Sequence, residues 1–113
     1  MGESFLRDFV EQCLKDAVGC QADLTRFAAE GNWVEVREAA HAYKGVAENL
    51  GAHSLAERCS QIMRAGDESL AREQTRLVAE LGAQLTSVAD ISRQEVARLT
   101  RPARPGKDVP DVS

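Results

Sequence analysis

Leu6, Val10, Cys13, Ala17, Cys20, Leu24 and Phe27 recur at alternating steps of four and three. That period lines one side of a helix with apolar groups and leaves Arg7, Asp8, Glu11, Lys15 and Asp16 on the others. Phe5, Phe9 and Val18 widen the stripe. Gly31 marks the stop, and Asn32 is a good N-cap for the next helix. The second helix covers residues 33–50, with Trp33, Val36, Ala40, Tyr43, Ala47 and Leu50 on its inner side and Gly51 at its end. A third starts near residues 52–54 and carries Leu55, Cys59 and Ile62 on one face; Ser54 and Glu57 have the spacing of a capping box. Gly66 closes it, and Asp67 or Ser69 is placed to cap the fourth. The fourth helix covers residues 68–99 along Leu70, Leu77, Leu81, Leu85, Val88, Val96 and Leu99, with Gly82 as an interior weak point.

No stretch shows the strict alternation of a half-buried strand. Four amphipathic helices with short connections predict an all-α fold, an antiparallel up-down four-helix bundle, over residues 1–100. None of the helices is expected to stand alone, so burial of the four stripes must hold them. The segment RPARPGKDVPDVS, residues 101–113, contains all three prolines and no periodic apolar face, and reads as a disordered C-terminal tail.

The 113 residues suffice for one core and not two. With aromatics at 4%, alanine and leucine fill most of that core. A net charge of -4 gives no reason to expect a nucleic-acid partner. No apolar run approaches the roughly 18–20 residues of a membrane span, so no membrane contact by this segment is expected. Three cysteines without a CxxC pair or a secretory signal point to reduced thiols and a cytoplasmic setting. Cys13 and Cys20 lie on the apolar stripe as small buried residues, and with His41 or His53 they match no standard zinc spacing.

The stretch HAYKGVAENLG, residues 41–51, carries the chemistry. At about 100° per residue, His41 points about 130° away from the inner stripe, toward solvent. Arg37 lies one turn before it; Lys44 and Gly45 lie one turn after; Val34 and Glu48 stand seven residues to either side. A surface histidine alone carries little information. An exposed glycine inside a helix, however, costs about 1 kcal/mol relative to alanine, and is explained if something must approach that face closely. Lysine one turn away suits an anion held on the imidazole, which is a competent nucleophile near neutral pH. A phosphoryl group carried on His41 fits these features, with Lys44 and Arg37 screening its oxygens, Gly45 clearing room and Val34 offering a partner apolar grip. The chain has no nucleotide-binding loop and no metal cluster, so phosphate must come from one protein and go to another.

His41-Ala42-Tyr43-Lys44-Gly45, then Asn49-Leu50-Gly51-Ala52 and Leu55-Ala56 with Cys59, resembles the histidine-containing phosphotransfer (HPt) domain of bacterial phosphorelays. KGVAENLGA with LAERCSQIM also resembles the C-terminal HPt domain of hybrid sensor kinases for diffusible signal factor, which would tether the segment to a membrane-bound sensor. The resemblance implies that His41 is the phosphoacceptor through Nε2, that Lys44 stabilises charge and that Gly45 gives clearance. Val34, Arg37 and Glu48 would border the docking partner. That partner is implied to be the receiver domain of a response regulator or hybrid histidine kinase. The resemblance implies that the receiver's Mg²⁺ does most of the catalytic work, and this chain is expected to need no cofactor or metal of its own and not to be an enzyme. Several family members carry a glutamine where this chain has Met63, which leaves Gln61, water or nothing to orient the ring. The rival readings are a docking module that binds a partner through the His41 face without chemistry, and a dimerising phosphoacceptor domain; the latter typically has an acidic residue where Ala42 stands. As an isolated domain the chain is expected to be a monomer, its four stripes satisfying one another.

Overall fold

The computed structural model describes residues 2–100. They form four helices, α1 (Gly2–Ala29), α2 (Trp33–Asn49), α3 (His53–Arg64) and α4 (Asp67–Thr100). Consecutive helices reverse direction through connections of two or three residues, which gives the expected antiparallel up-down bundle. The expected tail, residues 101–113, lies outside the described residues.

Two of the stops are glycines in the left-handed region. Gly31 has φ 69° and Gly51 has φ 70°, values that a side chain disfavours. At the first, the Asn32 amide donates to the Phe27 carbonyl and the Gly31 amide to that of Ala28. At the second, Ala52 donates to Ala47 and Gly51 to Glu48. These are paired Schellman closures, satisfying carbonyls the helix ends would otherwise orphan. Asn32 then starts α2, its side chain accepting from the Glu35 amide at 3.3 Å.

The start of α3 differs from expectation. The turn after Gly51 is so tight that Ala52 becomes the N-cap, with no side-chain cap bond. Ser54 therefore falls inside α3, where the capping box with Glu57 cannot form, and Glu57 pairs with Arg64 at 3.4 Å instead. At the other end it is Ala65, in extended conformation (ψ 147°), that ends α3 rather than Gly66. Helix α4 begins one residue earlier than the pattern indicates, with Asp67 inside its first turn.

The main core gathers Tyr43, Leu24, Leu55, Ile62, Leu70, Leu81 and Cys59, all fully buried. On α2 the predicted inner residues Val36, Ala40, Tyr43 and Ala47 are buried, joined by Ala39, while Trp33 and Leu50 at the ends are half-buried. A second cluster, Val10, Leu14 and Val96 with Leu6, Leu50, Val88 and Ala89, continues between α1 and α4. Phe5, Phe9, Val18 and Leu99, expected on the apolar stripes, are exposed instead. Helix lengths explain Phe5, Phe9 and Leu99. At about 1.5 Å per residue, α1 and α4 run about 42 and 51 Å, against about 26 and 18 Å for α2 and α3, so their far ends have no opposing layer.

One polar thread crosses the core. The buried Tyr43 hydroxyl donates to Gln21 Oε1 at 2.8 Å, and Gln21 Nε2 donates to the Val78 carbonyl at 3.1 Å. Helices α2, α1 and α4 are thereby locked in register through a fully partnered buried hydroxyl.

Candidate functional site

The site is one outward face of α2, and its orientation follows from the residues behind it. Ala40, Tyr43 and Ala47 are completely buried, so the helix cannot rotate without exposing them. His41, Ala42, Gly45 and Glu48 are consequently exposed. Tyr43 holds that rotation most firmly, because its hydroxyl is tied to Gln21 as well as its ring being packed. Gln21 carries no motif signal, since a lone glutamine on a polar-apolar border reads as an ordinary surface residue.

Lys44 sits at the edge of this face with its side chain 37% exposed, its Nζ 3.8 Å from Glu48 Oε2. That separation is a loose surface pairing, worth little and readily exchanged for a stronger anion. Gly45 is the most informative position. A Cβ built there meets nothing within 4 Å, so no packing against the bundle requires the missing side chain. Its backbone is ordinary helix, so no turn requires it either. The space it leaves is open to whatever approaches from outside. Val34, 68% exposed, lies farther along α2.

Arg37 does not extend into solvent beside His41. Its Nε and Nη2 donate to the Ala65 carbonyl at 3.3 and 3.0 Å, and it pairs with Asp67. It thus straps α2 to the corner between α3 and α4, satisfying the carbonyl that the extended Ala65 frees from the helix. Gln61 lies on α3 beside a groove shared with Gln84 of α4, away from α2, and Met63 packs against the main core. Among the described residues no side chain hydrogen-bonds the imidazole of His41, which is exposed.

Burial keeps the phenol of Tyr43 and the thiols of Cys20 and Cys59 protonated. Burial pushes the Cys59 thiol up to about 12, with Cys20 adding to the shift and Lys44 opposing it. Burial also raises Tyr43 and Cys20, so both stay protonated at neutral pH. His53 is exposed at the start of α3. Among the described residues no group of three His, Cys, Asp or Glu side chains is arranged to hold a metal. Nor is any helix there long and apolar enough to cross a membrane. What the face offers is a single exposed imidazole, an adjacent ammonium and a cleared backbone.

The Hpt domain family matches residues 4–97, which includes α2 and α3 and all but the outer ends of α1 and α4. The chain is 41% identical over 90 residues to the sensory/regulatory protein RpfC from two strains of Xanthomonas campestris pv. campestris. The matched region covers 80% of this chain but only 12% of the length of those relatives. No solved structure matches it. A phosphotransfer module with a role in two-component phosphorelay signalling is what these matches describe, and the chain belongs to the Hpt domain family.

Proposed function

We propose that His41 receives a phosphoryl group from a receiver-domain aspartate and passes it to a second receiver aspartate. The open space at Gly45, one turn from an exposed histidine, is the observation that supports this most directly. In the neutral tautomer with its proton on Nδ1, the imidazole presents the Nε2 lone pair to solvent. That pair attacks the phosphorus of the aspartyl phosphate; the N–P bond forms as the P–O bond to the aspartate breaks, and the carboxylate leaves with the electron pair. The onward step is the same reaction reversed on a different carboxylate. Lys44, released from Glu48, neutralises the phosphoryl oxygens from this side, and a Mg²⁺ held by the receiver would supply positive charge from the other. Val34 and Glu48 border the docked receiver. Arg37 contributes by holding α2 against the α3–α4 corner. That the match covers 12% of RpfC supports a place within a longer signalling protein; we put it at the C-terminus of a hybrid sensor kinase, on the cytoplasmic side of the membrane.

Incubation with a phosphorylated receiver should label the chain with an acid-labile, base-stable phosphate. His41→Gln should abolish the label with the helical circular dichroism unchanged. Full labelling of that variant would refute the assignment.

A further inference from the structure

The projecting ends of α1 and α4 form half of a bundle. From Glu11 back to the start of α1 and from Ile91 on to the end of α4, the pair holds together through Leu6, Val10 and Val96 and through an Arg93–Glu11 ion pair at 2.9 Å. Arg7, Glu11, Arg93 and Ala97 line the groove on one side of this pair, marking its polar outer face. At about 100° per residue, Phe5 and Phe9 lie opposite Arg7 and Glu11, and Ile91 and Leu99 lie opposite Arg93 and Ala97. All four therefore face the side on which α2 and α3 lie over the rest of the molecule. There they are 72%, 42%, 64% and 57% exposed. The two phenylalanines stack on one another, ring centroids 6.4 Å apart, rather than on an opposing helix. Ile91 also lines the open groove beneath the α2–α3 turn, with Leu50, Ala52 and Val88.

We infer that this face pairs with the same face of a second copy, two α1–α4 projections completing a four-helix layer about a twofold axis. Three observations favour a copy of this chain as the occupant. The layer that is missing is a pair of antiparallel helices with an apolar face, which is what the projection itself is, and an isologous contact needs such self-complementarity. The area is sufficient: from side-chain areas of about 150–250 Å² for aromatics, the four residues expose roughly 400 Å² of apolar surface. At the usual apolar share of an interface, that core corresponds to roughly 700 Å² per copy, near the roughly 800 Å² typical of stable complexes. Charge raises no obstacle, because Glu95 and Arg98 beside Leu99 pair with each other, so neither copy presents a surface of one sign. Residues facing His41 are not used, which leaves both phosphoryl-accepting faces of the dimer open.

Sedimentation of the full 113-residue chain from micromolar to millimolar concentration tests the pairing. The expected result is a reversible monomer–dimer equilibrium. Phe9→Glu and Ile91→Glu should each weaken it about 30-fold or more, as loss of a central apolar anchor does. Val18→Glu, also on an exposed apolar residue but in the groove on the outer side, should leave it unchanged. Helical circular dichroism checks that each variant folds. A chain that stays monomeric throughout, or a dimer indifferent to both face substitutions, overturns the inference. So does Phe9→Glu abolishing receiver-dependent labelling of a monomeric chain, since the face would then belong to the receiver.

Discussion

Gly45 makes a prediction in which stability and function move in opposite directions. Nothing lies within 4 Å of a Cβ at this position and the backbone there is ordinary α-helix, so Gly45→Ala fits without displacing any atom. The substitution removes the excess backbone freedom of glycine in the unfolded chain. It should therefore stabilise the fold by about 0.8–1 kcal/mol. For a domain of this size that is a rise of roughly 4–6 °C in Tm. Gly45→Gln, with helix propensity close to that of alanine, should keep most of the gain. In a docked receiver, though, the added side chain occupies the space the partner needs. Displacing it or shifting the partner should cost about 1–3 kcal/mol, slowing phosphoryl transfer roughly 5- to 150-fold for glutamine and less for alanine. Thermal unfolding followed by circular dichroism and single-turnover transfer from a phosphorylated receiver read the two effects separately. A destabilised Gly45→Ala would mean the glycine serves the bundle. A stabilised Gly45→Gln that transfers at the original rate would mean that no partner approaches this face closely, and the clearance argument would fail.

Two further outcomes follow from the core. Tyr43→Phe removes the hydroxyl that Gln21 accepts from and should cost about 1 kcal/mol in urea unfolding, whereas Gln21→Ala strands that hydroxyl inside the protein and should cost more, about 1–3 kcal/mol; the reverse order would show that the thread is not the buried partner of Tyr43. The second concerns alkali. Cys59 is raised to about 12 and Tyr43 is raised as well, so both bind protons more tightly folded than unfolded. Their contribution is complete below the unfolded pKa and is lost as pH rises through that value toward the folded one, so stability should fall from about pH 9 upward. Denaturation midpoints measured from neutral to alkaline pH check this, and Cys59→Ala should flatten the decline; an identical slope in that variant would exclude the thiol as a source.

How much was legible in the sequence varies by residue, and the reason is range. Helical period, the stops at Gly31 and Gly51 and the cap at Asn32 depend on neighbours within about one turn, so the chain alone determines them. The outward direction of His41 and Gly45 is of the same kind, since burial of Ala40, Tyr43 and Ala47 sets the angle. The exposure of that face was readable for that reason. Ser54 failed as a cap because the Gly51 turn advances the start of α3, a shift smaller than pattern reading resolves. Arg37, Gln21 and the far ends of α1 and α4 depend on what stands across from them. An arginine one turn from His41 has the same sequence context whether it faces solvent or reaches Ala65 and Asp67; only the packing of the α3–α4 corner against α2 decides. Phe5, Phe9 and Leu99 continue correct apolar stripes, yet a stripe is buried only as far as its neighbours extend, and α2 and α3 stop short. The sequence by itself determined the four helices and which residues share one exposed face, because both are set by rotation about a local axis. Tertiary structure alone decided which polar groups are tied down and which apolar ones are left uncovered, because those depend on the relative lengths and registers of helices far apart in the chain.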